Sequence, residues 1–373
     1  KYDQKDEQGR WRYLRPAEII DAGLVVKFEE INNRAFEVYS EGVKRLIEFF
    51  KKEFPRSMQK IEVEREDKKV SVGEEELKDE REKNAFNNAY NFTVRCAALD
   101  VGRCVLPAST LTHIGLYGNG RFFTSVINHL KSSELREENE RGYELETELK
   151  KVIPTFIKRN KADPNTSLRN ARMRNIAKNL FEKISPSANK VTLLPRADYI
   201  DEVLSLTLFP YANISLPQIY GEVGKMSPEL KQVIFKEYIG KRESRRDRSG
   251  RSLEAGYPIT FELVGGFAEY RDLERHRMLT QQKQLLTTDL GFIMPPEMSA
   301  IGLEREILEV ADKMSDLNSE LKNKGLDVAS QYATLFNNRL RFMMGMNLRE
   351  FQHLSELRTQ PAGHFSYRSM VME

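Results

Sequence analysis

The fold of this chain is decided by one stretch, which reads Pro258-Ile259-Thr260-Phe261-Glu262-Leu263-Val264, then Gly265-Gly266, then Phe267 through Leu279. The first seven residues alternate in polarity and are rich in strand-forming side chains, which predicts a half-buried strand. The glycine pair interrupts this pattern. After it, Phe267, Tyr270 and Leu273 recur at helical spacing, so we expect a helix to follow the strand.

The predicted helix carries three consecutive side chains that can be cations, Arg275-His276-Arg277. An arginine offers a permanently charged planar fork suited to phosphate, and a histidine adds a donor or acceptor that can also stack. On a helix packed against a sheet these groups would be held rigidly, which favours a ligand site. The alternative is a solvated helix face, whose charge is neutralised by Glu269, Asp272 and Glu274.

Composition and charge narrow the class of protein. The chain has 373 residues, which predicts two or three domains, and it is 40% hydrophobic and 31% charged, as in a soluble globular protein. A net charge of +3 gives no global basicity for nucleic acid. No apolar run is long enough to span a bilayer, and no signal-peptide pattern is present. Cys96 and Cys104 lack the spacing of a metal or redox pair, so we expect no metal site and a cytoplasmic location.

Apolar periodicity predicts most of the secondary structure. We expect helices over residues 28–54, 85–102, 134–160, 199–208, 229–239, 302–324 and 326–358, and a pair of helices over 108–130. Residues 191–194 are expected to form a strand, and the charged stretch 56–84 a solvated insertion or loop. Turn signals at Asp163-Pro164-Asn165 and Ser185-Pro186-Ser187 mark 161–190 as a linker between domains of residues 1–160 and 191–373.

The sequence contains an internal echo. Leu99-Asp100-Val101 recurs as Leu326-Asp327-Val328, and two Asn-x-Arg triplets, Asn119-Gly120-Arg121 and Asn347-Leu348-Arg349, lie 228 positions apart. Arg103 precedes the first triplet by the same 16 positions that separate Gln331 from the second. A repeat of this length predicts a duplicated domain. The alternative is a chance match between two helical regions.

Each Asn-x-Arg triplet places an amide and a guanidinium within an apolar helical region. Arg358 follows Asn347 by 11 positions, about three helical turns, and so lies on a similar face. Such a set suits a phosphorylated, planar ligand, with arginines for phosphate and carbonyl and asparagine for a base edge. Helix capping and surface ion pairs are an equal alternative. The histidines show no metal-ligand spacing, and no P-loop or nucleophile elbow is present.

These residues resemble the signature of the flavin-dependent thymidylate synthase family. In that family a similar strand and helix lead into Arg-His-Arg, and the other half of the pattern is Arg-x-x-Leu-Pro, then Asn-x-Arg, then Leu-Arg. Here Arg103-Cys104-Val105-Leu106-Pro107 with Asn119-Gly120-Arg121 matches in the first copy, and Asn347-Leu348-Arg349 with Leu357-Arg358 in the second. The resemblance implies an α+β fold of two repeats, each a small mixed or antiparallel sheet packed with long helices. The first repeat is incomplete, with its missing half expected upstream of Lys1, and we also expect missing sequence at the C-terminus.

The resemblance also implies an activity and a set of site residues. The family methylates dUMP to dTMP with methylenetetrahydrofolate, FAD and NADPH, and no enzyme nucleophile is needed. Cofactor binding would fall to Arg275, His276, Arg277, Ser252, Asn347, Arg349, Asn119 and Arg121. Arg103 and Arg275 would hold dUMP, and Arg358 would be the catalytic group that stabilises the ionised uracil ring. Because the family builds its sites between subunits, we expect a dimer of two-repeat chains that mimics a tetramer.

Five positions depart from the family pattern. Lys283, Leu285 and Thr287 stand where the family has an acid, its motif serine and a substrate-binding arginine, while Gln331 and Leu130 replace arginines that the other repeat keeps as Arg103 and Arg358. A catalytically degraded flavin- or nucleotide-binding relative with a structural role is therefore the alternative function. Nucleic-acid binding through Arg242, Arg245, Arg246, Arg248 and Arg251 ranks last, because Glu243 and Asp247 dilute that loop and no aromatic residues interleave with it.

Overall fold

The structure is a computed structural model. It describes residues 1–373 except 1, 3, 66–67, 159, 188, 195–198, 242–249, 251, 253–258, 347 and 361–362, and it leaves out the side chains of residues 164, 199, 348, 349, 352 and 365. The predicted site residue Asn347, the side chain of Arg349 and the five arginines of the basic loop therefore lie outside the described residues.

The first half of the chain is built on long helices. Its elements are α1 (Ala17–Asp21), α2 (Val25–Glu53), β1 (Lys60–Arg65), β2 (Lys68–Gly73), α3 (Glu80–Gly102), α4 (Gly120–Lys131), α5 (Arg136–Lys150), α6 (Pro154–Ile157) and α7 (Pro164–Phe181). The predicted helices over 28–54 and 85–102 are confirmed as α2 and α3. Gly102 brings these two helices together, because a Cβ there would lie 3.0 Å from Val43 Cγ2.

The second half adds a sheet. Its elements are β3 (Val191–Leu193), α8 (Tyr199–Leu208), α9 (Leu216–Val223), α10 (Pro228–Ile239), β4 (Ile259–Gly266), α11 (Phe267–Leu273), β5 (Thr280–Lys283), α12 (Pro296–Ala300), α13 (Glu304–Asn323), β6 (Arg339–Met346), α14 (Leu348–Arg358) and α15 (Phe365–Met372). The four strands β3, β4, β6 and β5 lie in that order, and all neighbours are antiparallel. The predicted α+β class is confirmed. None of the helices in the described ranges has the length and apolar character needed to cross a membrane.

Three segments of the first half differ from their predictions. The charged stretch 56–84 is not an open loop, because β1 and β2 pair as a hairpin that buries Val63 and Val72. The predicted helix pair over 108–130 is a single helix, α4, preceded by the irregular segment 111–119. The predicted helix over 134–160 ends at Lys150 and a separate short helix begins at Pro154.

The predicted linker 161–190 contains a packed helix. Met173, Ala177 and Phe181 of α7 are buried at four-residue spacing and belong to one hydrophobic cluster with α8, α9 and α10. The polar and basic residues between them hid this stripe in the composition. The division into residues 1–160 and 191–373 stays a prediction. A larger cluster, built on α2, α3 and α13, draws its side chains from residues 13–106 and from residues 268–336.

The region 326–358 is not one helix. Residues 339–346 form β6, the strand between β4 and β5, and seven of its eight residues are buried. A strand covered on both faces loses the alternation of polarity that a half-buried strand shows, so its apolar run reads equally well as a helix. The strand β4 also continues through Gly265 and Gly266, which were expected to end it.

A buried ion pair joins the two central strands. Arg341 Nη1 lies 2.8 Å from Glu262 Oε1, and the two side chains are 0% and 1% exposed. Arg341 also donates to the Ser187 carbonyl, and Glu262 accepts from the Leu216 amide. These contacts satisfy charges that would otherwise be costly inside the protein.

Two backbone hydrogen bonds join residues 106–108 to residues 334–336. The Ala108 amide donates to the Thr334 carbonyl over 2.8 Å, and the Phe336 amide donates to the Leu106 carbonyl over 2.9 Å. Pro107 and Leu335 face each other between them in an antiparallel bridge. Leu106, Pro107 and Ala108 each contact the segment that lies 228 positions later, residues 334–336. The contact therefore has the form of a two-fold symmetric pair.

Candidate functional site

The Arg-His-Arg stretch lies in the turn between α11 and β5. The helix α11 begins with a capping box, in which the Glu269 side chain accepts from the Gly266 amide at 3.0 Å, and it ends at Leu273. The prediction that the helix carries Arg275-His276-Arg277 is therefore wrong, because the chain turns after Leu273 and then pairs with β6 as Thr280–Lys283. In this turn Arg275 and Arg277 are exposed, while His276 is buried between them.

Asp272 links two of the predicted site arginines. Its Oδ2 accepts from Arg103 Nη2 at 3.1 Å, and its Oδ1 lies 3.0 Å from Arg275 Nη2. Arg103 belongs to the 3₁₀ turn that follows α3, so residues from distant parts of the chain meet at this carboxylate. A second acid, Asp100, lies 3.7 Å from Arg103 Nη1.

His276 connects this cluster to α14. Its Nδ1 lies 2.7 Å from Glu350 Oε1, and Arg358 Nε donates to its Nε2 at 3.0 Å. An arginine is always a donor, so Nε2 must be the acceptor and Nδ1 carries the proton that goes to Glu350. This arrangement fixes His276 as one neutral tautomer and holds Arg358 beside it.

The electrostatics of His276 agree with that assignment. Burial lowers its pKa below the usual value, and the nearby Arg358 acts in the same direction. The hydrogen bond to Glu350 acts the other way but does not reverse the shift. At neutral pH the imidazole is therefore uncharged, and the permanent positive charges here are those of the arginines.

A small cavity opens beside Arg103. It has a volume of about 60 Å³, and its lining includes Asp100, Arg103, Glu269 and His364. Arg103 Nε is buried at this point and has no acceptor among the described residues. Burial raises the pKa of Glu269, the second acid of the lining. A crevice of about 750 Å³ between α7 and residues 325–329 contains none of the predicted site residues.

Three other predicted site residues have local structural contacts. Asn119 is the N-cap of α4, and its side chain accepts from the Phe122 amide at 3.0 Å, as the capping alternative predicts. Arg121 is an exposed residue in the first turn of the same helix. Ser252 is 0% exposed, and its hydroxyl contacts Tyr238, the Leu206 carbonyl and Gln282. The described structure does not join these three to the Arg103, His276 and Arg358 cluster.

The departing positions also have contacts within the protein. Gln331 Oε1 accepts from the Leu286 amide at 3.2 Å, and Thr287 Oγ1 accepts from Lys322 at 2.9 Å. Lys283 Nζ lies over the Tyr270 ring at 5.2 Å from its centre. Leu130 lies where α4 approaches α5, because a Cβ added at Gly142 would lie 3.1 Å from the Cβ of Leu130. These residues stabilise the fold at positions where the family pattern has groups for substrate.

Sequence reasoning missed two residues of the cluster. The sequence pattern indicates Asp272 only as a neutralising charge on a helix face, and it does not single out Glu350. The clue to both is position, because each acid lies within three residues of an arginine in the family motif, Arg275 or Arg349. The chain places Asp272 where it pairs with two site arginines and Glu350 where it accepts from His276.

The chain matches a family model and is similar to several relatives. The model described as thymidylate synthase complementing protein matches residues 246–373. A UPF0159 protein of Chlamydia muridarum is 30% identical over 384 residues, which cover 100% of this chain and 67% of that protein. A UPF0159 protein of Chlamydia pneumoniae is 31% identical over 382 residues, which cover 99% of this chain and 66% of that protein. A UPF0159 protein of Thermoplasma acidophilum is 28% identical over 378 residues, which cover 100% of this chain and 74% of that protein. The chain thus spans about two thirds of the length of the two chlamydial relatives.

Proposed function

Because this chain belongs to the thymidylate synthase complementing protein family, we propose that it is a flavin-dependent thymidylate synthase-like protein. Its reaction is the methylation of dUMP to dTMP, with methylenetetrahydrofolate, FAD and NADPH. The observation that carries this proposal is the cluster itself. The family pattern assigns Arg103, Arg275, His276 and Arg358 to cofactor and substrate. Arg103 and Arg275 share the carboxylate of Asp272, and Arg358 contacts His276, the residue that follows Arg275 in the chain.

The donor set at the Arg-His-Arg turn fits the cofactor. Arg275 is 67% exposed and Arg277 is also exposed, so two guanidiniums are available to the diphosphate of FAD. The buried His276 between them fixes the turn through Glu350 and Arg358. The bound flavin would supply the redox chemistry, which the protein's own side chains do not provide. The buried Ser252 hydroxyl does not fit a direct cofactor contact.

We assign the substrate to the arginines around this turn. Arg103 and Arg275 bind the phosphate of dUMP, and Arg358 stabilises the negative charge that develops on the uracil ring. Arg358 Nε is committed to His276, so the terminal Nη atoms are the donors that we assign to the ring. The neutral His276 positions Arg358 through its Nε2 and adds no second positive charge beside it.

We also propose that the chain contains a duplicated unit. The two-fold pair of hydrogen bonds has the same offset of 228 as the Asn-x-Arg triplets. A second offset, 279, relates the helix Ala17–Asp21 to the helix Pro296–Ala300. The same offset relates Gly23 to Gly302, and the φ angles of these two glycines are 73° and 75°. Tyr13 forms an isolated bridge with Thr110, and Phe292 forms one with Asn338. Phe292 follows Tyr13 by 279 positions and Asn338 follows Thr110 by 228, so the two bridges correspond under the two offsets. One repeat then carries an insertion of 51 residues, which falls in the region of α2, the hairpin and α3.

A specific observation favours a second candidate, the catalytically degraded relative. Gln331 and Thr287 stand at two substrate positions of the family, and both are engaged in hydrogen bonds within the protein. A site that includes them has lost two guanidiniums, which leaves the charge of a bound nucleotide unmatched. In this reading the protein binds flavin or nucleotide without turnover.

Spectroscopy and turnover separate the two candidates. We expect the purified protein to be yellow and to oxidise NADPH only when dUMP is present. Removing one charge-assisted contact in Arg275→Ala should weaken FAD binding about tenfold to a hundredfold. The matched control is Arg305→Ala, which removes an 85% exposed arginine paired with Glu309. Unchanged FAD affinity in Arg275→Ala contradicts the cofactor assignment, and flavin without turnover supports the degraded relative.

A further inference from the structure

Asp272 lies between two arginines in the way that a phosphate group would. Each of its carboxylate oxygens contacts a different guanidinium, Arg103 at 3.1 Å and Arg275 at 3.0 Å. We propose that Asp272 is an internal competitor for the substrate's phosphate, so that an anionic ligand binds here only by displacing this carboxylate. The inference rests on the proposed function, because that function assigns the phosphate of dUMP to the same two arginines.

The competition is effective because the inner pair is largely withdrawn from water. The side chains of Arg103 and Asp272 are 20% and 12% exposed, so their attraction is screened less than that of a surface pair. Arg275 is 67% exposed and contributes less to holding the carboxylate. An incoming phosphate must therefore replace mainly the contact between Asp272 and Arg103.

The charge balance of the cluster points the same way. Arg103 and Arg275 are matched by Asp272 and by Asp100, which lies 3.7 Å from Arg103 and is 46% exposed. A nucleotide phosphate would add negative charge to a group that is already neutral. With an uncharged residue at position 272 the cluster would carry a net positive charge, as phosphate-binding sites do.

Arg103 itself carries the donor that an oxygen of the ligand would accept from. Its Nε is buried beside the cavity of about 60 Å³ and has no acceptor within the described part of the chain. A buried donor without a partner is costly, and an oxygen of a ligand that enters the cavity would satisfy it. The contacts of Asp272 occupy only Nη2 of this guanidinium.

A purely structural role for Asp272 makes a different prediction. The carboxylate would then act as a clamp that ties the end of α11 to the turn after α3. Removing its charge would lower the stability of the protein and would not improve the binding of any anion. The two roles therefore differ in the sign of the effect on anion affinity.

Calorimetric titration of Asp272→Asn with inorganic phosphate, dUMP and deoxyuridine tests the proposal. Removing a negative charge a few ångström from the ligand should tighten phosphate and dUMP binding about tenfold or more. Deoxyuridine lacks the phosphate, so its affinity should stay the same. The matched control is Glu274→Gln, which removes one exposed negative charge two residues later. Equal gains in both variants, or no gain in Asp272→Asn, overturn the proposal.

A second variant keeps the test valid if Asp272→Asn does not fold. Asp272→Ser removes the same charge with a smaller side chain, so it should also tighten phosphate and dUMP binding about tenfold or more. Unchanged or weaker phosphate binding in Asp272→Ser would refute internal competition. Flavin absorbance is recorded in parallel. A protein without flavin contradicts the proposed function, whereas the phosphate titrations still decide the role of Asp272.

Discussion

His276 is neutral and buried between an acid and an arginine, which makes its titration informative. We expect its pKa to lie below about 6.5, the value of an unperturbed histidine. As the pH falls below 6.5 the unfolded chain takes up this proton before the folded protein does. The free energy of unfolding should therefore decrease as the pH falls from about 6.5 toward the native pKa. Carbon-edited NMR of the imidazole ring measures that pKa directly.

The Glu350→Gln variant separates the contributions to this shift. The glutamine keeps an acceptor for Nδ1 but removes the negative charge that raises the pKa of His276. We expect the native titration to move to still lower pH in this variant. A midpoint above 6.5 in the unsubstituted protein would contradict the neutral tautomer and the role of Arg358 Nε as its donor.

At the scale of residues, the sequence predicts which groups matter better than it predicts their partners. The family pattern indicates Arg103, Arg275, His276 and Arg358, and in the structure Arg103 and Arg275 share Asp272 while Arg358 contacts His276. The acids that hold them, Asp272 and Glu350, belong to no motif. Their role depends on a distance across the fold that spacing along the chain does not encode.

The helix α7 provides a test at the scale of elements. If this helix is part of a core, Phe181→Ala should lower the free energy of unfolding by about 3–5 kcal/mol, because it removes a side chain that is 4% exposed. Leu168→Ala, in the same helix but 55% exposed, is the control and should change it by less than about 0.5 kcal/mol. Denaturant unfolding measures both. Equal small effects would instead favour a linker.

In the proposed duplication, the offset of 228 makes the segment 111–118 the counterpart of β6. It has no strand partner in the described structure, and Ile114 and Tyr117 are 76% and 101% exposed. We expect the amides of residues 112–118 to exchange hydrogen rapidly, while residues 339–346 are protected by pairing with β4 and, over 342–345, also with β5. Hydrogen exchange with mass spectrometry measures this. Equal protection of the two segments would show that 111–118 is paired in solution.

At the scale of elements, prediction failed where burial is two-sided. Helices with one buried stripe, such as α2 and α13, were predicted close to their observed bounds. The central strand β6 was not, because its apolar run lacks the alternation that identifies a half-buried strand. The helix α11 is shorter than predicted because the chain turns after Leu273 and then pairs with β6 as Thr280–Lys283.

At the scale of the whole molecule, the proposed dimer of two-repeat chains can be measured by sedimentation. We expect a species of twice the 43.3 kDa of one chain. Exposed apolar side chains such as Ile114 and Leu116 would then be covered by the partner chain or by sequence outside this chain. A species of single-chain mass at all concentrations would contradict the dimer.

The overall class of the fold could be predicted from the sequence, whereas the division into residues 1–160 and 191–373 stays a prediction. The family resemblance gave the α+β architecture, which the structure has. The proposed boundary at residues 161–190 rested on turn signals, and local signals carry no information about which distant side chains share a core. Here one cluster combines residues 13–106 with residues 268–336.

The paired hydrogen bonds between residues 106–108 and 334–336 have a consequence for how the site responds to dilution. In an assembly of separate subunits, the groups that meet at such an interface part when the protein becomes scarce. Here Arg103 and Asp272 belong to one covalent chain, so their effective concentration is set by the intervening polypeptide. Assembly of the Arg103 half with the Arg275 half is therefore independent of how much protein the cell makes.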